Sequence, residues 1–308
     1  MSGFLDTLNT IIWSPALVFL CLGAGIYFTL ATKFLQIRCI PDMIKQLKDG
    51  ESSESGVSSF QSLMISLAGR VGVGNISGVA TAIAFGGPGA VFWMWAVALL
   101  GSATSFVECT LAQVYKEKDQ DTGEYRGGPA YYIEKAYKHT KAGPFMVVYG
   151  IVFAIAMILA TSYFLPGIQA NGVAAAVENA WGIKVGWSAI VLAGVLALII
   201  IGGVKRIANF ASLVVPFMAG AYILFAIIIL FVNFNQIPEV FGMIFKSAFG
   251  AEQAFSGLLG SAIMWGVKRG IYSNEAGQGT GPQSAAAAEV SHPAKQGFVQ
   301  AFAVYIDT

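Results

Sequence analysis

Histidine is nearly absent: His139 and His292 are the only two in 308 residues. Cysteine is scarce too, with Cys21, Cys39 and Cys109 far apart and no Cys-x-x-Cys. That excludes a zinc site or a disulfide framework. Charged residues make up 11% of the chain, less than half of the roughly 25% usual in a soluble domain. The net charge is +1, so the electrostatic footprint of a nucleic-acid partner is missing. No Lys or Arg precedes Lys33. The basic region of a secretory signal is therefore absent, and residues 11–32 read as a retained span. The uncharged runs hold no convergent set of His, Cys, Asp and Glu, so the chain does not read as an enzyme.

What is present is apolar. Hydrophobic residues reach 56% and mean hydropathy is +0.67. A soluble fold could not hide that much apolar surface from water, which places the chain in a lipid bilayer. Disorder is excluded by the same content.

A membrane span needs about 20 mainly apolar residues. Residues 7–32, 71–107, 142–177, 185–204 and 207–238 carry no charge. Gly86-Gly87-Pro88-Gly89 divides the second run at a turn. Helices are expected near 11–32, 60–85, 90–115, 146–178, 187–203 and 210–232. An interrupted one is expected near 254–288 and another from about 296. Residues 127–138 read as a short cytoplasmic helix lying against the bundle. Lys and Arg set the orientation. Four fall in 33–59, six in 116–145, two in 204–209 and one in 289–295, thirteen on one side against two on the other. The thirteen mark the cytoplasmic face and put the N-terminus outside. Arg70, Lys268 and Arg269 remain, all inside expected spans, where a charge marks function.

Two segments do not read as simple spans. Leu67 to Gly78 holds four glycines and Arg70; Trp265 to Pro282 holds five glycines, a proline, two cations and Glu275. Each glycine costs a helix about 1 kcal/mol relative to alanine, so both segments are expected to unwind. Glycine also serves close packing, and Gly74–Gly78 is a GxxxG pattern. Arg70 precedes Asn75 by five residues, as Arg269 precedes Asn274. By the charge rule the two segments enter from opposite sides, the parity of an inverted repeat whose broken helices meet at the bilayer midplane. Backbone groups freed by unwinding are tolerable only beside a polar cavity. Half-helix N-termini suit a carboxylate and freed carbonyls suit a small hard cation. One such site can hold a zwitterion beside a coupling ion.

Four stretches then carry a resemblance: 74–82 (GNISGVATA), 86–95 (GGPGAVFWMW), 126–134 (RGGPAYYIE) and 273–282 (SNEAGQGTGP). They resemble the alanine/glycine:cation symporter family, in order and over nearly the whole chain. The resemblance implies an all-α membrane bundle of the leucine-transporter type with inverted repeats. It would form a single transporter domain over 1–308, with an extra N-terminal span at 11–32. The first repeat runs over about 60–232, and the second starts over about 254–308. It implies uptake of alanine or glycine coupled to sodium or protons across the cytoplasmic membrane, with no cofactor beyond the coupling ion. Family members continue for several more helices, whereas the sequence stops at Thr308 within a hydrophobic run. The expectation is a fragment whose second repeat is incomplete. Family members often have Thr at Val73 and a small or apolar residue at Arg70. At that place Arg70 either fills the space of a second sodium, or it snorkels or pairs with a distant carboxylate.

The candidate substrate contacts are Gly72, Gly74 and Asn75, whose amides suit a carboxylate, and Trp265, Gly270, Ser273 and Asn274 from the second break. Trp265 reads either as a pocket wall or as an interface anchor. Gln169, in a span interrupted by Pro166 and Gly167, fits a substrate contact and an interhelical hydrogen bond equally. By analogy to related symporters, the backbone carbonyls of Ala68 and Val71 are candidate sodium ligands. Arg70, Arg269 and Glu275 are assigned to gating or structural charge, with Glu275 expected to tie the break to Arg269 or Lys268. Glu108 is expected to face water or a loop cation. An ion channel and a membrane enzyme are the competing classes; saturable accumulation and product formation distinguish them.

Overall fold

A computed structural model describes residues 3, 7, 10, 12–48, 55–250 and 256–308. The architecture is all-helical apart from one two-stranded hairpin. Its axis is helix α6 (Gly89–Tyr115); the chain before it forms α1 (Pro15–Ala31), α2 (Leu35–Arg38), α3 (Ile40–Gln46), α4 (Ser59–Arg70) and α5 (Val73–Gly86). After it come strands β1 (Glu117–Lys118) and β2 (Tyr125–Arg126), then α7 (Pro129–Tyr137) and α8 (Gly143–Leu159). A π-helical turn, Ala160–Phe164, joins α8 to α9 (Leu165–Trp181). The remaining helices are α10 (Val185–Ile200), α11 (Gly203–Val232), α12 (Ile237–Ala248), α13 (Ser256–Asn274), α14 (Thr280–Ala287) and α15 (Pro293–Asp307).

The composition of α6 explains its central place. Ala90, Ser102, Ala103, Ser105, Cys109 and Ala112 are fully buried. Small side chains let neighbouring backbones approach closely, which is how helices associate where lipid removes the hydrophobic drive. Helices α15, α13, α14, α1 and α12 all pack on α6. Hydroxyls add directional contacts: Ser102 donates to the Ala301 carbonyl at 3.0 Å and Ser105 to that of Gln300 at 3.2 Å. A second core joins α4, α11 and α15 through Leu63, Met64, Leu67, Ala211, Val215 and Val299.

Away from this centre, apolar side chains point outward. Ile151, Ile155, Leu198, Phe217 and Phe231 are all more than half exposed. Soluble monomers do not present such a surface. Three helical stretches among the described residues are long and apolar enough to cross a membrane: α6, α8 through α9, and α11. The bent pair α4 and α5 makes a fourth.

Most expected helices are present with shifted ends. The expected 60–85 helix is two, bent by 43°. Its start is set by a capping box in which Gln61 N–H donates to Ser58 Oγ and Ser58 N–H to Gln61 Oε1, at 3.2 and 2.9 Å. Two connections expected as loops carry helices: α2 and α3 within 33–59, and α12 within 233–253. The sequence there is too polar or too short to read as a span, yet α12 buries Ile244 and Ala248 beneath α6. The expected helix starts at residues 11 and 254 lie outside the described residues, as do parts of the 33–59 and 233–253 connections.

Candidate functional site

Both glycine-rich segments are broken helices. The first break lies at Val71-Gly72, between α4 and α5. The second runs from Glu275 to Gly279, between α13 and α14. There Gly277 and Gly279 take φ of +84° and +89°, a region that glycine enters without steric cost. Glu275 sits at φ +55° with a full side chain, which is strained. A third irregularity faces them. Pro166 lacks the N–H that would continue the helix inward, and the chain widens into the π turn just before it.

These three places border one cavity of about 340 Å³. The first break contributes Ser66, Ala68, Gly69, Arg70 and Gly74. The second contributes Tyr272, Glu275, Gln278, Thr280, Gly281 and Ser284. The π region contributes Thr161, Leu165, Pro166 and Gln169. The two breaks are tied together beside it. Ser62 Oγ donates to the Ser284 carbonyl at 2.8 Å, and Gln296 Nε2 donates to Ser62 Oγ at 2.6 Å. Ser66 and Ser284 share a further hydrogen bond.

Gln169 joins the first break directly. Its Oε1 accepts from Val73 N–H at 3.1 Å, and a Cβ on Gly72 would stand 2.9 Å from that oxygen. The interhelical reading of this amide is therefore realised, on the cavity wall. Gly74 abuts Tyr272, whose Cε1 would lie 2.9 Å from a Cβ there. Ala68 borders the cavity, whereas Val71, Gly72 and Asn75 border a second one of about 480 Å³ between α11 and α15. Asn75 and Ser273 meet at a residue the sequence reading missed. Asn75 Nδ2 donates to the Asp307 carbonyl at 2.9 Å and to its carboxylate, and Ser273 Oγ donates to Asp307 Oδ2 at 3.3 Å.

Several expectations are corrected. Glu275 pairs with Arg70, at 4.0 Å, and not with Arg269 or Lys268. The broken backbone turns its side chain inward, while Lys268 and Arg269 lie over the Trp265 ring at 5.8 and 5.5 Å. Trp265 stacks on Phe85 with centroids 4.9 Å apart and borders a separate cavity with Trp13, Lys268, Arg269 and Tyr272. Neither Trp265 nor Gly270 reaches the central cavity; Gly270 packs on Met94 and Val97 of α6. Asn274 is fully buried, and its Oδ1 accepts from Ala276 N–H at 3.0 Å to hold the break. Glu108 does not face water: it is buried and accepts from Gly277 N–H at 3.0 Å. Arg70 is buried without snorkelling, and of its expected readings the pairing with a distant carboxylate is the one seen, through Glu275.

Beyond Asp307, the sequence reading missed Tyr272, Thr161, Thr280 and Gln278. Tyr272 borders both the central cavity and the Trp265 cavity. Its signal was available, as a polar aromatic between two glycine clusters of one span. Among the described residues no group of three His, Cys, Asp or Glu stands close enough to hold a metal ion.

The site can present hydroxyls, amides and one buried ion pair to a small polar solute, inside apolar walls. Its sequence has relatives. The family model described as the sodium:alanine symporter family matches residues 1–308. YrbD of Bacillus subtilis (strain 168) is 58% identical over 308 residues, all of this chain and 62% of its own length. The sodium/proton-dependent alanine carrier protein of Bacillus sp. (strain PS3) is 53% identical over 267 residues, 86% of this chain and 57% of its own length. The sodium/alanine symporter AgcS of Methanococcus maripaludis is 43% identical over 309 residues, 99% of this chain and 67% of its own. This chain thus spans about 60% of the length of the first two.

Proposed function

Because the chain belongs to the sodium:alanine symporter family, we propose that it carries out coupled uptake of a small neutral amino acid. Alanine or glycine crosses the cytoplasmic membrane together with sodium. The single observation that carries this reading is the convergence of two broken helices on one cavity that holds polar groups within apolar walls. Breaks there expose donors and acceptors that lipid would penalise by several kcal/mol each. The cavity has room for a solute of amino-acid size, and Tyr272 and Gln169 line it.

In this reading the bundle is of the leucine-transporter type. A first repeat runs over about 60–232 and a second begins at about 254. The protein works by alternating access around the breaks, with its N-terminus outside. Gly74 and Gln169 contact the substrate. Gly72, Asn75, Ser273 and Asn274 hold the broken segments in register, and Trp265 and Gly270 support them from outside the cavity. The carbonyls of Ala68 and Val71 serve the sodium ion. A second reading differs only in the ion: the Bacillus sp. relative is named for sodium and proton dependence, and a proton would then drive uptake.

Radiolabelled alanine uptake into proteoliposomes tests this, with the protein as its gene encodes it. An inward sodium gradient should drive saturable accumulation above equilibrium, and potassium in its place should not. Accumulation under a proton gradient without sodium selects the second reading. Linear, unsaturable flux means a channel and overturns both.

A further inference from the structure

Two adjacent cations of α13 stand without an acid. Lys268 and Arg269 are half-buried, and among the described residues neither makes an ion pair or a hydrogen bond. What they touch is aromatic. Lys268 Nζ lies 5.8 Å from the centre of the Trp265 ring and 5.9 Å from that of Trp13, and the Arg269 guanidinium lies 5.5 Å from that of Trp265. An aromatic face attracts a cation without neutralising it, so two like charges remain side by side. Such a pair is costly in a membrane helix until an anion joins it. The four residues, with Tyr272, border a cavity of about 300 Å³. The buried acids near α13 are engaged elsewhere: Glu275 with Arg70 and Thr280, Asp307 with Asn75 and Ser273, and Glu108 with Gly277 N–H.

The cavity lies toward one face of the membrane. Trp13 precedes α1, and Trp265 stacks on Phe85 at the end of α5, beside the Gly86–Gly89 turn. Neither the stretch before Trp13 nor that turn carries Lys or Arg. Lys268 and Arg269 therefore concentrate positive charge at a rim otherwise poor in it.

We propose that Trp13, Trp265, Lys268 and Arg269 form a binding site for the phosphodiester of an anionic phospholipid. The ligand chemistry is a phosphate oxyanion. Arg269 offers it a planar fork of donors and Lys268 a compact charge, and basic pockets between membrane helices hold lipid headgroups in this way. The two indoles suit the headgroup level, where amphipathic rings settle. The surroundings favour a lipid over free phosphate. Beyond Trp13, α1 exposes Phe19 and Leu20, an apolar surface for acyl chains, while the cavity itself has room for little more than a phosphate and its glycerol. Tyr272 stands one helical turn beyond Lys268 and also borders the central cavity. A bound headgroup thus braces a wall that the two cavities share. The site does not depend on which solute the protein carries.

Native mass spectrometry of the purified protein in detergent tests the site. The probe is phosphatidylglycerol. Diacylglycerol, which lacks the phosphate, is the comparison, and inorganic phosphate, which lacks the chains, is the competitor. Phosphatidylglycerol should bind at least ten-fold more tightly than diacylglycerol. K268Q and R269Q should each weaken it about five-fold. K184Q removes an exposed cation outside the cavity and should leave binding unchanged. Equal losses in all three variants mean a diffuse surface attraction and overturn the site. Displacement of the lipid by an equal concentration of inorganic phosphate keeps the oxyanion site and overturns the lipid as its source. A second measurement needs no variant. On wild type, a phosphatidylglycerol analogue with a diazirine beside its phosphate should crosslink to peptides that hold Trp13 or Trp265. Crosslinks to other segments alone overturn the site, however the variants fold.

Discussion

Gly72 and Gln169 show how much one contact at the break decides. A methyl group on Gly72 would meet the Gln169 amide at 2.9 Å. That amide is the flexible end of its side chain, so it moves and the bond to Val73 N–H is lost. Gly72→Ala and Gln169→Ala should each cost about 1 kcal/mol, the net worth of such a bond. Because both variants break the same contact, the double variant should cost little more than either single one. Thermal unfolding of the four proteins in detergent checks this, and simple additivity would refute the shared contact. Gly194→Ala is the control, since nothing lies within 4 Å of a Cβ there.

At the scale of elements, the return from α14 to α15 hangs on the end of α6. Helix α14 stops at Ala287, and its last carbonyls need partners. Gln113 Nε2 donates to the Ala288 carbonyl at 2.8 Å and also reaches that of Ala285. Lys116 Nζ donates to Ala288 O at 2.6 Å and lies 3.8 Å from the centre of the Tyr125 ring. Burial pushes the Lys116 ammonium down from 10.5 to about 8, against the pull of Glu289. The unfolded chain therefore binds more protons than the folded one between about pH 8 and 10.5, and stability should rise across that window. Lys116→Met should flatten the rise in melting temperature over those pH values. An equal slope in wild type and variant would show that another group is responsible.

At the scale of the molecule, helix spacing around α6 governs everything else. A Cβ on Gly266 would lie 2.5 Å from Trp93 Cβ and 2.6 Å from the Ala90 carbonyl oxygen. Neither atom is a free side-chain end, so α13 must move off α6 to admit a methyl. Gly266→Ala should destabilise the protein by about 2–3 kcal/mol, within the range for overpacked cores. Because α13 leads into the second break, the same variant should lower alanine affinity from outside the cavity. A melting temperature and an affinity equal to wild type would refute the close packing.

The membrane class and the two glycine-rich places where helices break were legible in the chain. They depend on local chemistry. Twenty apolar residues cannot be solvated, and clustered glycine cannot hold a helix, whatever surrounds them. The family was legible too, since its motifs are short local stretches, one of them spanning the second break. What escaped was mostly the identity of partners. Glu275 could not be matched to Arg70 from spacing, because 205 positions separate them and only the fold brings them within 4.0 Å. Trp265 read either as a pocket wall or as an interface anchor, and only the fold shows that the face of α13 it occupies turns toward Phe85. Asp307 belongs to no motif, and its meaning came from Asn75 and Ser273 on two other helices. Which helix faces converge is a matter of rotation and packing. Those are set by small-residue contacts along α6, summed over the whole bundle, and no short stretch of sequence contains that sum.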